Sequence, residues 1–192
     1  MDIRDTVDGY GIVSRLFHWV MALAIVAMFA LGLWMVGLDY YSPYYNSAPD
    51  LHRSVGILLL IALIIRWLWR ASNIQPRDDE LSPFEQKASY AAHWGFYVLL
   101  LALMVSGYLI STADGQSIDV FGWFKVPALV HTPGLETPSG KVHRILAWGV
   151  IALAAVHSLA ALKHHFVDRS TILQRMWSGP RAATIIPKKK EN

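Results

Sequence analysis

Four long apolar stretches restrict the fold of this chain more than any other feature. They lie at about 15–37, 51–70, 88–111 and 142–165. A helix needs about 20 predominantly apolar residues to cross the hydrocarbon core of a bilayer. Backbone groups inside lipid must also satisfy their own hydrogen bonds, which favours helices. We therefore predict an all-α fold, an integral membrane four-helix bundle that forms a single domain over residues 1–192.

Composition agrees with a membrane protein. Charged residues make up 16% of the chain and hydrophobic residues 54%, whereas a soluble domain carries about 25% charged residues. The chain has no cysteine, which excludes disulfides, thiolate-bound iron–sulfur clusters, c-type haem attachment and cysteine zinc sites. The sequence has no phosphate-binding loop and no basic patch with interleaved aromatic residues, so we expect no nucleic-acid partner.

Lysine and arginine set the predicted orientation. If the N-terminus is cytoplasmic, that side receives thirteen of the 17 basic residues, and the other side receives Arg53, Lys125, Lys141 and Arg144. Cytoplasmic loops carry an excess of Lys and Arg. We therefore predict that both termini are cytoplasmic and that the basic tail, about 178–192, lies near anionic lipid.

Two histidines in the fourth stretch, His143 and His157, are 14 residues apart. On a helix this spacing is about 21 Å of rise, and both side chains leave nearly the same face. Ionisable groups inside a membrane are costly and are usually functional. Because successive helices alternate in direction, His18 shares the inner depth with His157, and His52 shares the outer depth with His143.

Paired imidazoles at one depth suit haem iron, which two histidines from different helices can ligate on both faces. Such iron suits electron transfer. Arg15, Arg53 and Arg144 lie close to these histidines in sequence and are candidates to bind haem propionates. A zinc site needs four ligands that converge on one ion, which histidines about 21 Å apart cannot provide. Hydrogen-bonded core histidines are the remaining alternative.

The other histidines are less informative. His93 lies at an inner depth with Trp94 beside it, and could line a quinone pocket, replace a ligand or bond to a neighbouring carbonyl. We expect His164 and His165 to face solvent or lipid and His131 to be an outer-loop residue.

Glycine recurs at a fixed distance from two of the histidines. Gly32 follows His18 by 14 residues, and Gly107 follows His93 by the same interval. Glycine allows either a flat macrocycle or another helix to approach the backbone, and both readings stay open.

Local signals mark the ends of several elements. Ser82 to Glu85 reads as a capping box with Pro83 at the first helical position. Asp50 is a candidate N-cap for the second helix. A short helix is expected over Ser170–Trp177. In the long outer loop, about 112–141, we expect the apolar run Val120–Phe124 to lie on the outer surface and to act as a cover, with Phe121–Phe124 near the outer histidines.

These motifs resemble the bacterial cytochrome b561 family of small di-haem b cytochromes, which are related to the cytochrome b subunits of hydrogenases. The resemblance is carried by Phe17-His18-Trp19, Leu51 to Gly56, Gly107 to Ser111, Val142-His143-Arg144, Val156-His157 and Ala161 to Phe166. It implies two b haems stacked across a bacterial inner membrane, one held by His18 and His157 and the other by His52 and His143. It also implies quinone chemistry, with superoxide as the electron donor for some members.

We therefore predict a membrane di-haem cytochrome b that carries electrons between a periplasmic one-electron donor and the quinone pool, with ubiquinone or another quinone as acceptor. Superoxide is the sharpest candidate donor, although the outer face carries four basic and five acidic residues and so has no net positive charge. One alternative is a membrane-anchor cytochrome subunit for a dehydrogenase, a hydrogenase or another periplasmic redox protein. A second is a transporter or channel that uses histidines to move protons.

Overall fold

Four long helices dominate the computed structural model, which describes residues 2–179. The helices are α1 (Ile12–Met35), α2 (Ser47–Ala71), α3 (Pro83–Thr112), α4 (Glu136–Phe166) and the short α5 (Ile172–Trp177), and the strands are β1 (Ile118–Val120) and β2 (Phe124–Val126). Most of the predicted basic tail, including Lys188 to Lys190, lies outside the described residues.

The four long helices are apolar on their outward faces. They contain 24 to 31 residues each, and their most apolar windows have mean hydropathies of 1.8 to 2.2. At most 22% of the residues in any of these windows are buried inside the protein. Leu23 and Ile145, for example, are about 70% exposed. In water such surface would be unfavourable, so the predicted membrane four-helix bundle is confirmed.

The start of α2 differs from the prediction. The helix begins at Ser47 with Asn46 as its N-cap residue, so the assignment of Asp50 as N-cap is wrong. Pro49 is tolerated because the first-turn N–H groups have no intrahelical partner. Asp50 lies in the first turn, where its negative charge interacts favourably with the positive end of the helix dipole. It also pairs with Arg53 one turn later.

The start of α3 follows the predicted capping box. The Glu85 backbone N–H donates to Ser82 Oγ at 3.4 Å, and the Ser82 N–H donates to the Glu85 carboxylate at 3.0 Å. Pro83 occupies the first helical position. The helix therefore begins five residues before the predicted apolar stretch and carries its first turn beyond the membrane.

A β-hairpin lies in the outer loop, where only irregular chain was expected. Strands β1 and β2 are antiparallel, and Trp123 N–H donates to Val120 O at 2.9 Å across a turn in which Phe121 and Gly122 have positive φ. Ile118 and Val120 are buried against Ile57 of α2. Ile118 and Val120 are therefore the residues of the outer loop that cover this part of α2.

The aromatic run of the outer loop has a different position from the one predicted. Phe121 is 44% exposed and Trp123 is 72% exposed, so only Val120 of the predicted run is buried as a cover and the rest of the run is exposed. The reason is the period of two in a strand, which turns Ile118 and Val120 inward and leaves the turn residues outside.

Helix α5 packs across the inner end of α1. Arg15 Nη2 donates to the carbonyl of Trp177 at 2.8 Å, and Trp19 Nε1 donates to that of Met176 at 3.1 Å. The last carbonyls of a helix have no intrahelical partner, so these two donors satisfy them. The helix begins at Ile172, two residues after the predicted start.

Candidate functional site

Each long helix carries two residues of the candidate site, 14 positions apart. These pairs are His18 and Gly32 on α1, His52 and Arg66 on α2, His93 and Gly107 on α3, and His143 and His157 on α4. The common spacing is about 21 Å of helical rise. The eight residues therefore form two levels: an outer level of Gly32, His52, Gly107 and His143, and an inner level of His18, Arg66, His93 and His157.

At the outer level, two histidines face each other and two glycines lie against their rings. The ring centres of His52 and His143 are 6.2 Å apart. A Cβ atom on Gly32 would lie 3.4 Å from His52 Cε1, and one on Gly107 would lie 3.1 Å from His143 Cε1. The glycine repeat therefore clears space beside the outer histidine pair.

A cavity of about 440 Å³ opens beside this pair. Both histidines line it, together with Gly56, Met104 and Gly107. Its walls are mostly apolar, as in sites that bury a flat organic ligand. The buried Nδ1 of His52 has no hydrogen-bond partner within residues 2–179.

A hydrogen bond fixes the orientation of His143. Its Nδ1 lies 2.9 Å from the carbonyl of Leu103, which can only accept, so Nδ1 carries the proton. Nε2 is therefore left with a lone pair for a metal. Ser106 Oγ donates to the same carbonyl at 2.7 Å and lies 3.1 Å from Nδ1. Neither Ser106 nor Leu103 could be singled out from sequence, because hydroxyls and carbonyls are common in spanning helices.

The inner level is more crowded and more polar. The ring centres of His18 and His157 are 6.4 Å apart, and the ring of His93 lies 5.7 Å from that of His157. Arg66 Nη2 lies 3.4 Å from His18 Nδ1. At the inner level the paired histidines therefore have Arg66 and His93 as neighbours. At the outer level the corresponding neighbours are glycines.

The spacing of both histidine pairs fits axial ligation of one iron. An imidazole nitrogen lies about 2 Å from a bound metal, and its ring centre lies roughly 1 Å further, so two opposed ligands have centres about 6 Å apart. The observed separations are 6.2 and 6.4 Å. With the flanking glycines and the apolar cavity, the donor set fits haem b.

The inner histidines do not form a zinc site in this structure. Within residues 2–179, the only three His, Asp or Glu ligand atoms that converge belong to Glu85, His164 and Asp168. Lys163 Nζ lies 2.8 Å from both carboxylates there, so a cation already neutralises this group. Hydrogen bonds from Lys163 and then His164 hold the pKa of Asp168 below its usual range.

Three minor histidines take different positions. His164 does not face solvent or lipid as expected: its side chain is 13% exposed, because Nδ1 bonds to Asp168 at 2.7 Å. His165 is half-buried, and its Nδ1 has no partner among the described residues. His131 is exposed in the outer loop.

The three predicted propionate arginines do not lie at equivalent positions. Arg53 lines the outer cavity and pairs with Asp50, and Arg144 is exposed next to His143. Arg15 contacts α5 instead of the inner histidines. Arg66 is instead the arginine beside His18.

An apolar core separates the two levels. Its buried members are Met21, Leu63, Leu100 and Val150, one from each long helix. Val150 lies seven residues from each histidine of α4, and Leu100 lies seven from both His93 and Gly107. The core therefore sits midway between the levels and excludes water there.

The two predicted quinone-site residues, His93 and Trp94, lie in different environments. His93 is half-buried and faces His157, whereas Trp94 is 46% exposed on the outside of the bundle. The pair therefore connects the inner level with the lipid-facing surface.

Comparison with known proteins gives the family. The family model described as prokaryotic cytochrome b561 matches residues 9–179. The chain is 48% identical to Cytochrome b561 homolog 2 of Escherichia coli (strain K12), over 92% of this chain and 95% of that protein. It is 29% identical to Probable superoxide oxidase CybB of Yersinia pestis, over 83% and 90% of the two chains.

A third relative is named for a different role. The chain is 23% identical to the Probable Ni/Fe-hydrogenase B-type cytochrome subunit of Bradyrhizobium diazoefficiens, over 93% of this chain and 87% of that protein. The family implies a b-type haem, which the histidine levels fit. The chain therefore belongs to the prokaryotic cytochrome b561 family and is a membrane cytochrome b of the bacterial inner membrane.

Proposed function

We propose that this protein is a di-haem cytochrome b that carries electrons between a periplasmic one-electron donor and the quinone pool. The observation that carries the proposal is the pair of histidine levels, about 21 Å apart along the helices. Each level offers two opposed imidazoles at the separation that axial ligation requires. A separation of this size would bring the two levels near opposite faces of a hydrocarbon core about 30 Å thick, as electron transfer across the membrane requires.

The ligand assignment follows the two levels. His52 and His143 would hold the outer haem, and His18 and His157 the inner haem. When bound, each haem supplies an iron that accepts and releases one electron at a time. The Leu103 carbonyl and Ser106 keep His143 in the tautomer that ligates metal, and Arg53 and Arg144 are close enough in the chain to bind the outer propionates.

The quinone would bind at the inner level beside His93 and Trp94. Trp94 is exposed to lipid, from which a quinone would arrive, and His93 offers a hydrogen-bond donor toward the bundle interior. The positive-inside distribution of Lys and Arg places this level toward the cytoplasm. A quinone there could take its protons from the cytoplasmic side.

Superoxide is the donor that we propose first. Two superoxide anions would each lose one electron and become dioxygen, while one quinone takes up two electrons and two protons and becomes a quinol. The 29% identical relative named as a probable superoxide oxidase supports this choice. Among the outer cations Arg53 is neutralised by Asp50, so attraction of the anion would depend on Lys125, Lys141 and Arg144.

The test is a purified, haem-loaded protein in liposomes that contain ubiquinone and no other protein. We expect quinol to form when superoxide is generated outside, and we expect His52→Ala to abolish the reaction while the inner haem remains. Ser72→Ala, an exposed change at the opposite end of α2, is the control. Full quinol formation by a His52→Ala protein that lacks the outer haem would overturn the proposal.

A second candidate is a membrane-anchor subunit that receives electrons from a periplasmic protein. Trp123 and Phe121 at the exposed hairpin tip offer a contact surface, and one relative is named as a probable hydrogenase cytochrome subunit. This candidate predicts that the isolated protein reduces no quinone with superoxide. It also predicts that Trp123→Ser weakens electron delivery from a partner without changing haem content.

A further inference from the structure

Arg66 is a cation inside the bundle without an acidic partner. It lies in α2, is half-buried, and its guanidinium faces His18. Among residues 2–179, no Asp or Glu forms an ion pair with it. By contrast Arg175, near the same membrane face, pairs with Glu80. A charge inside the bundle without a paired counter-ion is unfavourable, so Arg66 is suited to bind an anion that is not part of the chain.

The contact with His18 cannot persist when that histidine binds iron. A guanidinium only donates hydrogen bonds, so His18 Nδ1 accepts in the 3.4 Å contact. A neutral imidazole that accepts at Nδ1 carries its proton on Nε2, and that nitrogen then has no lone pair for a metal. If His18 is a haem ligand, which rests on the proposed function, Arg66 loses this acceptor and can turn to another one at the inner level.

The surroundings of Arg66 are suited to a carboxylate. A small cavity of about 30 Å³, roughly the volume of one water molecule, lies on its cytoplasmic side. Arg70, Tyr10 and Tyr97 also line it. Asp5 lines it as well, but its two oxygens already accept from Gly11 N–H and Ser14 Oγ at 2.8 Å. Two arginine cations and one carboxylate therefore line this polar pocket, which leaves one positive charge in excess.

We propose that Arg66, with Arg70 behind it, binds a propionate carboxylate of the inner haem. Arginine binds carboxylates through two parallel N–H groups. Arg66 lies at the level of the inner pair by its 14-residue spacing from His52. Arg15, the arginine that the sequence favoured for this role, donates to the carbonyl of Trp177. A lipid phosphate shares this anion chemistry, but the Arg66 guanidinium points to His18 rather than to the lipid surface.

Equilibrium redox titration of the purified full-length protein tests the proposal. Removal of a positive charge disfavours reduction of the nearby iron, since reduction adds a negative charge. We expect Arg66→Gln to shift the one-electron reduction equilibrium of the inner haem toward the oxidised form by at least about tenfold, which is about 59 mV. The outer haem should keep its potential. His52→Ala, which lacks the outer haem, assigns the inner component.

Two variants control for general effects. Lys87→Gln removes one exposed positive charge from the same end of the bundle and should leave both potentials unchanged. Arg66→Lys keeps the charge and loses the two-pronged donor, so the inner potential should move less than in Arg66→Gln. If Arg66→Gln fails to bind the inner haem, Arg66→Lys still provides the comparison.

Resonance Raman spectroscopy of the propionate bending bands gives a direct second measurement. We expect these bands to change for the inner haem in both Arg66 variants and to stay unchanged in Lys87→Gln. Unchanged bands and an unchanged inner potential in both Arg66 variants would overturn the proposal. So would a potential that depends on anionic lipid in nanodiscs while the bands stay constant, since this would assign Arg66 to a lipid phosphate.

These measurements need neither superoxide nor quinone. If the inner haem responds to Arg66 but liposomes form no quinol, the proposed donor and acceptor fail and the propionate contact stands. If quinol forms but neither Arg66 variant changes the inner haem, the contact fails and the proposed function stands.

Discussion

Gly107 and Gly149 are both helical glycines, yet only Gly107 faces a histidine. A Cβ on Gly107 would lie 3.1 Å from His143 Cε1 and 3.3 Å from Nδ1, whereas one on Gly149 would meet nothing within 4 Å. We predict that Gly107→Ala displaces His143 and weakens outer haem retention by about tenfold or more, the scale of a disturbed ligand environment. Gly149→Ala should keep both haems, because alanine favours a helix by about 1 kcal/mol.

The measurement is haem transfer from each variant to excess apomyoglobin, followed optically. Equal outer-haem loss from Gly107→Ala and Gly149→Ala would contradict the role assigned to the glycine at the outer level.

Ser106 contacts His143, although it was not among the predicted site residues. Its Oγ bonds to Leu103 O at 2.7 Å and lies 3.1 Å from His143 Nδ1. We predict that Ser106→Ala weakens outer haem retention by about tenfold, the lower end for such supporting residues, since the Leu103 carbonyl still holds the imidazole. Ser72→Ala removes an equivalent hydroxyl bond to the carbonyl three residues earlier and should have no effect in the same transfer assay.

Sequence reasoning at this scale found the histidines but not all their neighbours. The 14-residue interval in α4 and the alternating helix directions were enough to place His18 with His157 and His52 with His143. The contacts of Arg15 and Arg66 depend on side-chain direction and on where α5 docks, and neither is readable from spacing. The position of Arg66 beside His18 therefore emerges only from the fold.

At the scale of elements, Glu80 holds α5 in place. Its carboxylate accepts from Thr171 N–H and Oγ1, both at 2.6 Å, and pairs with Arg175. Burial raises the pKa of Glu80, but the Thr171 hydrogen bonds and the Arg175 charge outweigh it and leave that pKa below the usual value. The pKa of Glu80 is lower in the folded protein than in the unfolded chain. Ionised Glu80 therefore stabilises the fold fully above the usual glutamate pKa of about 4.3, and this stabilisation is lost as the pH falls through the folded-state pKa.

A spin label on Ser178→Cys can follow this docking, since the chain has no other cysteine. We predict an immobile label at pH 7 that becomes mobile as the pH falls through the lowered pKa of Glu80. Glu80→Gln should mobilise the label already at pH 7, and the exposed neighbour change Asp79→Asn should not. An immobile label in Glu80→Gln at pH 7 would contradict this role.

Elements differ in how well the sequence predicts them. The capping box at Ser82 and the four apolar stretches depend on local signals, and α3 begins as those signals indicate. The β-hairpin was missed because each strand has only three residues, too few for a period of two to emerge. Its buried side is set by Ile57 of α2, a contact between segments far apart in the chain.

For the whole molecule, the charge distribution predicts the orientation. Ser117 is exposed in the outer loop, and Ser72 is exposed just after α2. In intact spheroplasts, we predict that a membrane-impermeant maleimide labels Ser117→Cys and leaves Ser72→Cys unlabelled until the cells are lysed. The reverse pattern would place the inner level at the periplasm and invert the direction of the proposed electron path.

The bundle as a whole repeats one spacing on four helices, with a buried core midway. The sequence analysis found this interval on three helices. The fourth case, His52 and Arg66 on α2, could be recognised only from the contact between Arg66 and His18. We propose that each level holds one haem.

The most direct test is haem quantified against protein, with oxidised and dithionite-reduced spectra, for the wild type, His52→Ala and His18→Ala. We predict two haems b per chain in the wild type and one in each variant, with different midpoint potentials for the haem that remains. One haem in the wild type, or loss of the same haem from both variants, would contradict the two-level account.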